Sequence, residues 1–257
     1  MAKCGLIGNP ISHSKSPMLF RAAYGEGRHT YSLIEAESCA MAMERFMEEG
    51  FSGINVTSPF KDEVMQYVTC PDSISSVLQS ANTIIAQGDK IYSYNTDYYG
   101  VKNTLKECFA QMQPQMAGDI SRKALVVGAG GAGKAAALAA RDLGMEVLFA
   151  NRSSHAAKPF AEKIGVKYIP LEEIEAVLET TGTIIYNLSM EIEPLRNADL
   201  GNKVVFEANY AHPNLADKGA MLYIDGRHWL YNQAIPAYEL FTGETPDTTA
   251  MKQFMGL

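Results

Sequence analysis

Four polar stretches carry residue types suited to gripping and transforming a small, hydroxyl-rich anion. Gly8-Asn9-Pro10-Ile11-Ser12-His13-Ser14-Lys15-Ser16-Pro17 crowds serines, a histidine and a lysine between an apolar run and a helix start. Hydroxyls and free amides at such a point can hold a carboxylate without a formal cation. Asn55-Val56-Thr57-Ser58-Pro59-Phe60-Lys61 places an amide, a hydroxyl and then an ammonium at a strand-to-helix turn. Asp62 and Glu63 follow directly, so a local charge network accounts for Lys61 as well as proton transfer does. Ser80-Ala81-Asn82-Thr83 and Tyr94-Asn95-Thr96-Asp97 add amides, hydroxyls and a carboxylate at strand ends. Ligands of open α/β sheets gather at strand carboxyl ends, so these turns can converge on one molecule. Taken singly, each also reads as local hydrogen bonding.

A fifth stretch, Gly128-Ala129-Gly130-Gly131-Ala132-Gly133, satisfies G-x-G-x-x-G. A β-type run, Leu125-Val126-Val127, enters it and an Ala-rich helix leaves it. Missing side chains let a pyrophosphate approach backbone amides at a helix N-terminus, where the dipole favours negative charge. A tight turn without a ligand uses the same glycines, but strand, glycines, helix and second strand in order favour the nucleotide reading. The second strand ends in Asn151-Arg152-Ser153, where an NAD-preferring fold usually has Asp or Glu. A cation and hydroxyls there suit the 2′-phosphate of NADP. The alternative for Arg152 is an ordinary solvated surface cation.

Elements must hold these stretches in place, and β-type runs alternate with helical patterns along the chain. Strands are expected at residues 4–8, 31–36 and 53–57, and helices at 16–24 and 41–49, with a further helix beginning at Pro59-Phe60-Lys61. Ser16 reads as the N-cap of the first helix, with Pro17 at its first position. Residues 81–86 and 90–94, joined by Gln87-Gly88-Asp89, read as an antiparallel hairpin. From Asp97, the residues Val101, Leu105, Cys108, Phe109 and Met112 share one helical face. Residues 111–118 form the expected linker. The unit 123–127, 128–133, 134–143 and 146–150 follows as strand, turn, helix and strand. Strands at 183–187, 203–206 and 221–224 come next, then helices at 229–241 and 246–254, the last opening on Pro246.

The chain has 257 residues, 47% hydrophobic and 20% charged. That suits one large domain or two ordinary ones and excludes disorder, collagen and small disulfide scaffolds. A net charge of −7 is the wrong balance for gripping a nucleic-acid backbone. Cys4, Cys39, Cys70 and Cys108 are widely spaced and form no CxxC or Cys/His cluster, so no metal site is expected and a reducing compartment suits them. Glycine comes too early for a signal peptide, and Gly-rich turn and Lys134 interrupt the longest low-charge stretch. The expectation is a soluble, cytoplasmic protein with no membrane partner.

Together the quoted motifs resemble the shikimate dehydrogenase family over most of the chain. The resemblance implies a two-domain α/β fold: a Rossmann NADP-binding domain at 98–225 inserted into a substrate-binding domain made of 1–97 and the C-terminal helices of 226–257. It implies Ser14 and Ser16 as carboxylate hydroxyls, Lys61 as the catalytic lysine with Asp97 as its partner, and Thr57, Asn82, Asp97, Tyr210 and Gln233 as substrate contacts. Gly128, Ala129, Gly130, Gly131 and Ala132 resemble the NADP turn, and Asn151, Arg152 and Ser153 the 2′-phosphate clamp. The implied reaction is reversible NADP-dependent reduction of 3-dehydroshikimate to shikimate, by a monomer or homodimer.

Three stretches depart from the family pattern. Asn187-Leu188-Ser189-Met190-Glu191 lacks the usual Gly and adds a carboxylate. Asp225-Gly226-Arg227-His228-Trp229-Leu230 has His and Trp where the family has Gly and Met. Ala211-His212-Pro213-Asn214-Leu215 follows Tyr210 without the common Thr-Pro-Leu. Two other readings therefore stand beside the first: a paralogue acting on quinate or another cyclic hydroxy acid, with NADP or NAD, and a protein that binds such a ligand without turnover.

Overall fold

Apolar runs too short for buried helices become the strands of two six-stranded sheets in the computed structural model, which describes residues 1–112 and 122–257. Two compact units result, one from Met1–Thr96 with Tyr231–Leu257 and the other from Asp97–Leu230. Both divisions fall inside helices. The expected linker lies outside the described residues from 113 onward.

The first unit runs β1 (Lys3–Gly8), α1 (Ser16–Tyr24), β2 (Thr30–Glu35), α2 (Cys39–Glu48), β3 (Gly53–Val56), a 3-10 helix (Glu63–Tyr67), β4 (Cys70–Pro71), α3 (Ser73–Leu78), β5 (Thr83–Gln87) and β6 (Lys90–Tyr94). Its sheet order is β2-β1-β3-β5-β6-β4. β1 is parallel to β2 and β3, whereas β5 is antiparallel to β3 and β6, which makes β5–β6 the expected hairpin. Ile7, Ile34, Phe46, Ile54 and Ile84 form a fully buried core.

The second unit begins in α4 (Thr96–Gln111), with Val101 and Leu105 buried on the expected face. It continues with β7 (Lys123–Val127), α5 (Gly131–Asp142), β8 (Glu146–Asn151), α6 (Ser154–Ile164), β9 (Lys167–Pro170), α7 (Ile174–Leu178), β10 (Thr183–Tyr186), α8 (Glu193–Arg196), β11 (Val204–Glu207) and β12 (Leu222–Asp225). The order β12-β11-β10-β7-β8-β9 is wholly parallel and reverses between β7 and β10. That is the doubly wound nucleotide-binding arrangement, whose ligand crevice opens at the reversal. Two helices, α9 (Gly226–Thr242) and α10 (Thr248–Met255), close the chain.

Several local expectations change. No α-helix starts at Pro59, because the Lys61 carbonyl accepts from the Ala81 amide at 2.8 Å. A helical bond from residue 65 is thereby lost, and a 3-10 helix forms only from Glu63. Lys15, not Ser16, is the N-cap of α1, and Ser14 Oγ accepts from the Ser16 amide at 3.2 Å. α5 starts at Gly131, inside the glycine turn. Asp247 caps α10 by accepting from the Ala250 amide at 2.9 Å, so Pro246 precedes that helix. Among the described residues no helix is long and apolar enough to cross a membrane.

Candidate active site

In the first unit the carboxyl ends of neighbouring strands β1 and β3 bring two of the polar stretches together. The Asn9 amide donates to the Ser58 carbonyl at 3.2 Å, and the Thr57 amide to the Ile7 carbonyl at 2.9 Å. A Cβ on Gly8 would lie 2.5 Å from Thr57 Cγ2, so only glycine permits this approach. Ser14 and Ser16 lie on the same side of this junction in sequence, Ser16 buried and Ser14 half-buried. The bond from the Ala81 amide to Lys61 ties the lysine's backbone to the Ala81-Asn82 turn.

Asn82 is the hub of a buried polar network. Its Nδ2 donates to Thr96 Oγ1 at 3.0 Å and to Gln233 Oε1 at 3.1 Å. Its Oδ1 accepts from the Thr96 amide at 2.7 Å. The Asn55 amide donates to the Asn82 carbonyl and to Thr83 Oγ1, and Tyr31 donates to Asn55 Oδ1 at 2.7 Å. Burial pushes the Tyr31 phenol far up, which keeps it a neutral donor. Buried amides paired this fully are rigid, since any displaced partner leaves an unsatisfied polar atom.

In the second unit the glycine turn leaves β7. Gly128 has φ +100°, and a Cβ on Gly133 would sit 1.8 Å from the Gly128 carbonyl oxygen. At Gly130, by contrast, a Cβ would meet no atom within 4 Å. Gly130 is also the N-cap of α5 and gives no side-chain cap. The turn is tight on its inner side, open on its outer side, and leaves first-turn amides without a side-chain acceptor. A pyrophosphate fits that donor set.

Across the reversal, at the end of β10, Asn187 donates to the Val127 carbonyl at 3.1 Å, and its buried Oδ1 has no partner among the described residues. At the end of β8, Ser153 caps α6 without a side-chain bond. Arg152 beside it is exposed, with no hydrogen bond or ion pair to its side chain among the described residues. Asn151 Nδ2 donates to the Ser153 carbonyl at 3.1 Å and so braces this corner.

Asp97, 6% exposed in the first turn of α4, accepts from Trp229 Nε1 at 3.1 Å. The indole packs on Phe206, with ring centroids 5.5 Å apart. Tyr210 lies in the loop after β11, where Glu207 accepts from the Asn214 and Leu215 amides and from Tyr223 Oη. Burial pushes the Tyr210 phenol up.

Residues 6–84 match the family described as the shikimate dehydrogenase substrate binding domain, and residues 111–208 match shikimate / quinate 5-dehydrogenase. A protein named shikimate dehydrogenase (NADP(+)) from Natronomonas pharaonis is 32% identical, over 97% of this chain and 96% of that protein. The chain belongs to the shikimate dehydrogenase family. A protein of the same name from Caldanaerobacter subterraneus subsp. tengcongensis is 30% identical over 93% of this chain and 91% of its own length. A crystal structure of a shikimate dehydrogenase in complex with NADP⁺ superimposes with a TM-score of 0.82 at 25% identity, covering 99% of this chain and 94% of that one.

Against the shikimate dehydrogenase pattern, the structure gives two of the three departures a local account. The added carboxylate, Glu191, is held by Lys218 at 2.9 Å and by Arg196 at 3.4 Å, and the Lys218 hydrogen bond, ahead of Arg196, keeps it below the usual carboxylate range. The loop after Tyr210 lacks the family's Thr-Pro-Leu but is fastened by Glu207 and by Asn209, whose Oδ1 accepts from the Ala211 and His212 amides. Sequence patterning missed the bonds that join Tyr31 to Asn55, Thr96 to Asn82 and Trp229 to Asp97. The partners lie 24, 14 and 132 residues apart, beyond any helical or strand period.

Proposed function

We propose that this protein catalyses the reversible, NADP-dependent reduction of 3-dehydroshikimate to shikimate. The observation that carries the reading is likeness along 97% of the chain to a protein named shikimate dehydrogenase (NADP(+)). NADPH supplies the hydride for reduction, and NADP⁺ takes it back in oxidation. Gly128, Ala129, Gly130, Gly131 and Ala132 bind the pyrophosphate through the open side of the turn. Arg152, with Asn151 and Ser153, takes the 2′-phosphate, which an exposed guanidinium without an internal carboxylate partner suits.

Ser14 and Ser16 hold the substrate carboxylate, and the cap on α1 leaves the Ser16 hydroxyl free of capping. Thr57, Tyr210 and Gln233 address the ring oxygens, with Asn82 fixing the Gln233 amide from behind. In reduction Lys61 donates a proton to the oxygen of the former carbonyl as negative charge develops there, and Asp97 orients the ammonium. In oxidation Lys61 accepts that proton from the ring hydroxyl. Four free thiols suit a cytoplasmic site of action.

The test is reduced-nicotinamide absorbance with shikimate or quinate, each paired with NADP⁺ or NAD⁺. Fastest turnover is expected with shikimate and NADP⁺. Faster turnover with quinate and NAD⁺ would replace the reading by the quinate one. Shikimate binding without turnover in any pairing would make the protein a binder.

A further inference from the structure

We propose that Trp229 is the positioning residue for Asp97, taking part in the reaction by fixing the carboxylate through its indole N–H. The proposal rests on Asp97 acting as the partner of Lys61, as read above. A carboxylate 6% exposed needs donors, because an unpaired buried charge is costly. The first turn of α4 provides a favourable dipole, and Trp229 Nε1 provides a donor at 3.1 Å. An indole N–H only donates, so it cannot take up a proton or compete with Lys61 as an acid or base. Its effect is on orientation: Oδ1 is held and the carboxylate plane is set.

The indole is itself immobile. Trp229 is 5% exposed and packs at a tilt of 49° against Phe206, which is fully buried in β11. Three residues earlier Gly226 starts α9, and a Cβ there would lie 2.1 Å from the Ala208 carbonyl oxygen, so the helix start is seated directly on the end of β11. Sheet, Phe206, Trp229 and Asp97 thus form one packed line within the second unit. A methionine at this place, as in the family pattern, would offer no N–H to Asp97.

The chain contains one tryptophan, so its ¹H–¹⁵N spectrum holds a single indole signal. Asp97→Asn should move that signal, since the charged acceptor is replaced by a neutral one. Trp229→Phe keeps an aromatic ring on Phe206 and removes the donor. It should lower kcat for shikimate oxidation about tenfold and leave KM for shikimate and NADP⁺ within about twofold. Trp229→Met, with the same expectation, stands in should the phenylalanine variant not fold. An unmoved indole signal, or a kcat within about twofold of wild type in a folded variant, overturns the positioning role while the wild type stays active. A wild type inactive with shikimate and NADP⁺ overturns the functional reading, and this role with it.

Discussion

The side-chain amide of Asn82 donates to Oε1 of Gln233 across 3.1 Å, joining the turn before β5 to a helix 151 residues later. Its other amide hydrogen goes to Thr96. Both donors of Asn82 are therefore spent inside the protein, and Gln233 becomes the outer member of the pair. Asn82 thereby fixes the side-chain amide of Gln233, and both stand among the proposed substrate contacts. The same bond fastens α9 to the β-sheet of the first unit, so site and stability share an anchor.

Asn82→Ala should accordingly cost stability as well as function. Its loss leaves the buried Thr96 amide without its acceptor and takes one of two donors from Gln233 Oε1, which Thr96 Oγ1 still reaches at 3.0 Å, a penalty of about 1–3 kcal/mol. At roughly 2–4 °C per kcal/mol for a chain of this size, Tm should fall by several degrees. Thermal melting checks this, and an unchanged Tm would show that the network is not structural.

The two sides of the glycine turn predict opposite phenotypes. Gly133→Ala drives a methyl to 1.8 Å from the Gly128 carbonyl oxygen and should unfold the turn, lowering Tm and abolishing cofactor binding. Gly130→Ala meets nothing within the protein. It should leave Tm unchanged and raise KM for NADP⁺, because its methyl occupies the approach of the pyrophosphate. Normal cofactor affinity in Gly130→Ala would move the phosphate elsewhere.

Arg152→Ala should raise KM for NADP⁺ by about tenfold or more while leaving KM for NAD⁺ unaltered, since only NADP⁺ carries the 2′-phosphate. Raising salt should narrow the difference between wild type and variant, as expected for an exposed charge. Equal losses with both cofactors would assign Arg152 a general role at the turn.

Lys61→Ala tests the proton transfer. Removal of a positioned acid–base group should cut kcat by about 10²–10⁴ with KM for shikimate little changed. Near-full turnover would take Lys61 out of the mechanism. A loss confined to KM would instead make it a binding residue.

The motifs were readable because each sits on a local signal: glycines following β7, hydroxyls following β1, a polar turn before β5. Val101 and Leu105 likewise disclosed α4 through their spacing. What escaped depends on contacts at long range. Tyr31 reads as an ordinary strand aromatic until β1 places β2 and β3 on either side of it in the sheet, where Tyr31 reaches Asn55. β4 is two residues long and has no period to detect. α3 did carry one local signal, Asp72, which accepts from the Ser75 amide at 2.7 Å as an N-cap. The helix it opens is too short for an apolar face. Trp229 stood out only as a departure, because nothing in its neighbourhood names Asp97.

The same departing segment yields a pH prediction. At Asp225 burial pushes the carboxyl up, but hydrogen bonds from the Arg227 side chain and backbone amide outweigh it and hold the group below the usual carboxylate range. A folded-state value below the unfolded one adds stability that is present above the unfolded value and lost as pH falls through the folded value. Arg227→Met removes the guanidinium but keeps a long apolar stem. Its Tm should lie below that of the wild type at neutral pH, and the gap should close as the pH drops below the carboxylate range. Thermal melts across that range distinguish two causes. A gap that persists in acid would mean that the arginine stabilises by packing its stem, whereas a closing gap assigns the stability to the charge held on Asp225 at the start of α9.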